Sequence, residues 1–306
     1  MDTARCRAFL AAAELGTFTK AAEKLGYTPS GVSQLVNALE SDLGLKLLIR
    51  ERTGVKLSED GARFLSVVRQ IVKEEETLYQ MAAETQGLLV GSVSIAAYSS
   101  ISTHWLPKVI RQFQEDFPQI KINLQEGFRK EVSQWLSEKS ADIAFMSYME
   151  PMPFEWIPLA EDPMLALLSR AHPLAGKKKY PLKNLPDEKF IMPAFVYDDD
   201  VKLLFQKNKL EPRIEITTLE SLSAIAMIEE NLGMTITNQL VVENMNYDIV
   251  KLPLDPPQHL TMGIAIHSLK EASPAVRKFV EYAVRILTAP EENNSNKKLK
   301  KSEVKK

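Results

Sequence analysis

A chain of 306 residues, 45% apolar and 25% charged with a formal net charge of −2, has the composition of a globular protein with room for two or three cored domains. The near-neutral balance argues against a protein that coats nucleic acid by charge alone. One cysteine, Cys6, excludes an intrachain disulfide framework, and no apolar run is long enough to cross a bilayer as a helix. With no signal-peptide-like stretch near Met1, the cytoplasm is the expected compartment.

The first element is a helix that Thr3 can cap. It turns Cys6, Phe9, Leu10 and Ala13 inward and ends near Gly16. Thr17 caps a second helix that Gly26 closes. Thr28 then caps a third, with Pro29 at the first helical position, where its missing N–H is harmless. Along the third helix Val32, Leu35, Val36, Leu39 and Leu43 share one face, and Ser30, Ser33, Gln34, Asn37 and Ser41 share the other. A merely solvated face usually carries long charged side chains. Short donors and acceptors suit a surface of donors and acceptors, such as base edges in a DNA major groove. The caps, the tight turn and this polar row together predict a helix-turn-helix. Ser30, Ser33, Gln34 and Asn37 are the candidate groove residues, and Thr28 is placed near a phosphate.

Leu43 to Arg50 and Glu51 to Leu57 read as two short apolar pieces around a charged turn, a hairpin wing. Arg50 and Arg52 near its tip suit phosphates or the minor groove, with an ion pair to a neighbouring carboxylate as the other reading of Arg50. Residues 1–60 carry eight Lys/Arg and eight Asp/Glu, so phosphate neutralisation per subunit is modest and binding should lean on two subunits. Ser58 caps a helix of ~40 Å running to about Gln86. Leu65, Val68, Val72, Tyr79 and Ala82 form a narrow seam on it, interrupted by Glu75, which predicts pairing with another helix rather than packing on its own chain.

After Gly87 to Gly91 the character changes. Strands are predicted at residues 93–96, 120–124, 142–146, 164–168, 190–192, 214–217, 233–236, 249–252 and 260–266. Helices are predicted at residues 101–117, 132–139, 199–209, 219–231 and 273–288. The alternation predicts a parallel α/β sheet, crossing between two halves near Glu161-Asp162-Pro163. The Lys-rich segment 291–306 is expected to be disordered. His104, His172, His259 and His267 have no metal-ligand spacing, and no phosphate loop, dinucleotide fingerprint or nucleophile elbow occurs, so neither a cofactor nor catalysis is expected. Cys6 reads as a small packed residue.

The run Phe9-Leu10-Ala11-Ala12-Ala13-Glu14-Leu15-Gly16-Thr17-Phe18-Thr19-Lys20-Ala21-Ala22-Glu23-Lys24-Leu25 resembles the LysR-type transcriptional regulators. The resemblance continues through Ser30-Gly31-Val32-Ser33-Gln34, Leu39-Glu40, Leu43-Gly44 and Leu57-Ser58-Glu59-Asp60-Gly61. More loosely, it extends through Gly91 to Ile95, Asp142 to Phe145 and Asn231 to Ile236, covering roughly residues 1 to 290. It implies a winged helix-turn-helix over residues 1–60, a dimerising linker helix over 58–88, and a two-lobed regulatory domain similar to periplasmic binding proteins. Lobe 1 would comprise 91–161 and 266–289, and lobe 2 residues 162–265. The implied partners are double-stranded DNA, a small-molecule effector, further copies of the chain in a homodimer or homotetramer, and RNA polymerase.

The resemblance places the effector at Ser99, Ser100 and Thr103, where a strand feeds a helix N-terminus. Hydroxyls and free N–H groups there suit an anion, though the same residues also suit plain helix capping. Phe145, Met146, Ser147, Phe195, Thr217 and Thr237 would line the cleft. The hydroxyls and N–H groups point toward a carboxylate although no Arg or Lys lies in these segments to fix its charge, and the Phe and Met wall suits an apolar portion, so a carboxylate or aromatic metabolite is the expected effector class. The chain departs from the family at Gln34, commonly Arg, which shifts the preferred base edge from guanine toward adenine. It also has Ile236-Thr237-Asn238 where a Leu-Pro ending is common. The competing classes are an α/β enzyme or solute binder with an N-terminal interaction module, and a nonspecific chromosome-structuring protein. The first lacks a catalytic constellation and a signal peptide, and the second would want a basic chain.

Overall fold

The computed structural model describes residues 2–193 and 199–289, so Phe195 and the tail at 291–306 lie outside the described residues. Three helices, α1 (Thr3–Leu15), α2 (Phe18–Leu25) and α3 (Pro29–Leu43), pack around Cys6, Phe9, Ala12, Ala21, Val36 and Leu39. The local rules hold at α2 and α3. The Thr17 hydroxyl accepts from the Lys20 N–H and the Thr28 hydroxyl from the Gly31 N–H, while Gly26 and Gly44 end the two helices at φ of 71° and 66°. At α1 the cap is Asp2, whose carboxylate accepts from the Ala4 N–H. Thr3 is instead the first helical residue and sends its hydroxyl 2.6 Å to Glu75. Leu10 and Ala13 are only half-buried, and Ala8, Ala11 and Ala12 fill the interior.

The wing is the antiparallel pair β1 (Leu48–Glu51) and β2 (Gly54–Leu57). It lies so close to the helices that two glycines are required. A Cβ at Gly54, where φ is +150°, would sit 2.1 Å from the Gly16 carbonyl oxygen. A Cβ at Gly61 would sit 2.0 Å from that of Leu47.

Helix α4 (Glu59–Glu84) is capped by Ser58 as expected, but its apolar seam divides. Leu65, Val68 and Val72 are taken by the core of the N-terminal domain, whereas Tyr79 is 68% exposed and Ala82 is also exposed. The helix also packs on its own chain. Arg69 pairs with Glu138 at 3.1 Å and Lys73 with Asp142 at 2.9 Å. Gln80 is buried where the Ala275 N–H donates to its amide oxygen. Leu78, Tyr79 and Met81 stay exposed.

Lobe 1 is built from β3 (Gly91–Ala97), α5 (Ser99–His104), α6 (Leu106–Asp116), β4 (Ile120–Glu126), α7 (Arg129–Ser137) and β5 (Ile143–Ser147). The helix expected from Ile101 to Phe117 is two helices broken at Trp105, and Pro107 takes the second position of α6, where its missing N–H is tolerated. Then β6 (Glu155–Ser169) runs from lobe 1 into lobe 2 as one long strand. Lobe 2 adds β7 (Tyr180–Pro181), β8 (Lys189–Met192), α8 (Asp199–Asn208), β9 (Arg213–Thr217), α9 (Ser221–Glu229), β10 (Thr235–Asn238) and β11 (Ile249–Asp255). β12 (His259–Ile266) returns to lobe 1, and α10 (Pro274–Leu287) covers it.

The sheet is mixed, not parallel. Its order is β4-β3-β5-β12-β6-β11-β7, with β10 also on β6. Among the described strands, only β4-β3-β5, β11-β7 and the separate pair β8-β9 run parallel. The reason is the pair of long crossing strands. β12 runs back along β6 from His259 opposite Pro163 to Ile266 opposite Glu155, so both its neighbours are antiparallel to it. No helix among the described residues is long and apolar enough to cross a membrane.

Candidate DNA-reading face and effector cleft

Val32, Val36 and Leu39 anchor α3 in the core, which leaves Ser30, Gln34, Asn37 and Ser41 exposed and Ser33 half-exposed along its outer face. Thr28 lies at the amino end of that face, its hydroxyl 3.1 Å from that of Ser30. Arg50 pairs with no carboxylate among the described residues. Its guanidinium donates to the Ser33 hydroxyl at 2.9 Å and the Asn37 amide oxygen at 3.0 Å, and it sits 5.1 Å over the Phe18 ring. The wing thus reaches onto the polar face of α3, and one cation joins β1, α2 and α3. Arg52 is exposed at the wing tip.

Sequence reasoning passed over Glu40. It faces the interior, 5% exposed, and its carboxylate accepts from the N–H groups of Leu47 and Leu48 at 2.8 and 3.1 Å and from Lys46 at 2.7 Å. Burial pushes its pKa up, but the Lys46 ammonium and the two N–H donors outweigh that and hold it below the ordinary 4.5. The only local signal was an acidic residue breaking the apolar register of α3.

The predicted effector residues do not all meet. Phe145 and Met146 are fully buried in the core of lobe 1, Phe145 against Ile95, Ile101 and Leu106, so they form no cleft wall. Alternation along β5 directs consecutive residues to opposite faces of a sheet covered on both sides, which buries both. Ser99 and Thr103 are exposed on the short helix α5, and the Thr103 hydroxyl is spent on the Ser99 carbonyl at 2.8 Å. Ser100 is half-buried, and Thr217 is exposed at the end of β9. Thr237 lines a small pocket inside lobe 2 with Thr235, Pro193, Ser221 and Leu167.

Among the described residues of that set, Ser147 alone joins a polar cluster between the lobes. Its partners are Arg129, the first residue of α7, and Asp200, near the start of α8 in lobe 2. Asp200 accepts from Arg129 Nη2 at 2.8 Å, and Ser147 Oγ lies 2.7 Å from both its oxygens. Arg129 also donates to Ser147. The Tyr98 hydroxyl is 3.3 Å from Ser147, and its ring centroid is 6.0 Å from the Arg129 guanidinium carbon. Burial alone would lower the Arg129 pKa, but Tyr98 and Asp200 outweigh it and keep the guanidinium charged. A cation therefore does stand in the cleft, outside the segments named from sequence. Tyr98, Arg129 and Ser147 follow or end β3, β4 and β5, at the carboxyl edge where open α/β sheets place ligands.

A winged helix-turn-helix carried by a long helix into a two-lobed α/β domain with a polar interlobe cleft defines a one-component, ligand-responsive DNA-binding regulator. Residues 4–62 match the family model for the bacterial regulatory helix-turn-helix protein, lysR family, and residues 86–287 match the LysR substrate binding domain. The chain belongs to the LysR family of transcriptional regulators, and is a DNA-binding regulator with an effector-binding domain rather than an enzyme. It is 32% identical to the HTH-type transcriptional regulator YvbU of Bacillus subtilis over 94% of this chain and all of that one. The fold matches full-length OxyR C199D from Pseudomonas aeruginosa with a TM-score of 0.75 at 20% identity, covering 94% of this chain and 98% of that one. It also matches full-length CbnR complexed with its target DNA, with a TM-score of 0.63 at 22% identity over 93% and 99% of the two chains.

Proposed function

We propose that this regulator reads a specific DNA site in the cytoplasm as a dimer or tetramer, through Ser30, Ser33, Gln34 and Asn37 in the major groove. Thr28 at the amino end of α3 takes a phosphate, Arg50 braces the polar face, and Arg52 follows the backbone at the wing. One observation carries the reading: the outer face of α3 is a row of short hydrogen-bonding side chains held in place by Arg50. The exposed Leu78, Tyr79 and Met81 on α4 support pairing with a second copy. The CbnR complex with target DNA supports the mode of docking for that relative's fold. The effector cleft is the interlobe site around Ser147, and Ser100 lies on the helix that follows Tyr98. Gln34→Ala tests the groove reading: it should weaken binding to the true operator about tenfold or more while leaving binding to random DNA nearly unchanged. Equal loss on both would remove Gln34 from base readout.

A further inference from the structure

We propose that Arg129, Ser147 and Tyr98 form a carboxylate subsite that lobe 2's own Asp200 fills when no effector is bound, so that the effector is an organic acid that enters by displacing it. This rests on the reading of the interlobe cleft as the effector site. Asp200 reaches the site from the opposite lobe, 71 residues away in sequence. Both charged side chains are only 12% exposed, so the pair is shielded from water. It is met there by what a carboxylate requires: a guanidinium N–H at 2.8 Å and a hydroxyl at 2.7 Å.

Asp200 satisfies the site incompletely. It engages Arg129 through Nη2 alone, and Arg129 Nε is buried with no partner among the described residues. A guanidinium edge is built for two parallel bonds to one carboxylate. A side chain tethered to α8 does not reach that geometry here, and a free acid can. The incoming group therefore makes one bond more than the residue it replaces. The same displacement cuts an interlobe ion pair and obliges Asp200 to find water, which couples occupancy to the relative position of the lobes. The site offers one cation and two hydroxyls beside Asp199 and Asp200, and a single positive charge suits a singly charged carboxylate better than a phosphate dianion.

Chemical rescue tests this on the full-length protein. Asp200→Ala removes the resident carboxylate and leaves a space that acetate fits. Thermal unfolding is followed in sodium acetate and, at matched ionic strength, in sodium chloride with and without acetamide. The prediction is that Asp200→Ala melts below the parent and that acetate raises its Tm, with half the effect at about tenfold lower acetate than the parent needs. Acetamide should do nothing, and Arg129→Gln on the Asp200→Ala background should abolish the response. If Asp200→Ala does not fold, as judged by circular dichroism, Asp200→Gly, which also opens the space, is held to the same comparison. Equal acetate shifts in parent, single and double variants, or no acetate-specific shift in either Asp200 variant, would overturn the proposal. Operator binding by the same preparations keeps the two readings apart: a chain that binds its operator but shows no acetate rescue stays a regulator and loses this subsite.

Discussion

The Glu40 carboxylate accepts the backbone N–H of Leu47 at 2.8 Å, so the recognition helix and the wing are joined by a buried charge rather than by apolar packing alone. Leu48 adds a second N–H to the same oxygen. Removing the acceptor strands both donors in the interior. Glu40→Ala is therefore expected to cost about 3 kcal/mol of stability in the N-terminal domain, read by urea denaturation. The pH dependence has a definite sign. The folded pKa lies below the ordinary 4.5, so this stability is fully present above that value and is lost as pH falls through the lower folded one. Glu40→Gln should flatten the acid limb of the stability curve.

Gly61 lies in the first turn of α4, where Ala would ordinarily be the better helix former by about 1 kcal/mol. The 2.0 Å approach to the Leu47 carbonyl reverses the sign. Gly61→Ala should lower stability by about 2 kcal/mol and weaken operator binding by shifting the wing. Gly176→Ala, with nothing within 4 Å of where its methyl would stand, should leave the Tm unchanged.

Arg50 and Arg52 are neighbours on the wing with different duties. Arg50→Ala releases Ser33 and Asn37 and should reduce specific binding by about tenfold to a hundredfold, with Arg50→Lys an incomplete rescue because an ammonium can serve both acceptors but lacks the planar guanidinium that lies over the Phe18 ring. Arg52→Ala should weaken binding to every sequence alike and lower the slope of log K against log salt by about 1. Gel shifts at three salt concentrations distinguish the two.

Lys73 of the linker helix and Asp142 of lobe 1 meet at 2.9 Å, and Asp142 also accepts the Ser94 N–H at 2.8 Å. Asp142→Ala therefore leaves two groups unpartnered and should cost about 2–3 kcal/mol, against about 1 kcal/mol for Lys73→Ala. Denaturation of both single variants and the double measures the coupling between linker and regulatory domain.

Local chemistry made the N-terminal domain legible. Thr17, Gly26, Thr28, Pro29 and Gly44 each impose a backbone choice on their neighbours, and the choices agree. The sheet was less legible because Glu161-Asp162-Pro163 read as a crossing between halves, yet it lies within β6, as does Pro158 beside the register shift between Met262 and Gly263. Without β6 as one long strand, the antiparallel return of β12 could not be inferred. Phe145 and Met146 looked like a binding wall because a run of apolar residues does not say which of a sheet's faces is covered. The interlobe pair was invisible for a simpler reason: nothing local to Arg129 or Asp200 announces a partner 71 residues away.

We propose that α3 reads base sequence. A gel-shift titration at physiological salt, comparing DNA upstream of this protein's own gene with random DNA of equal length, tests it most directly. A preference of about a thousandfold or more for the upstream fragment is the predicted result. Equal, weak binding to both fragments would contradict it.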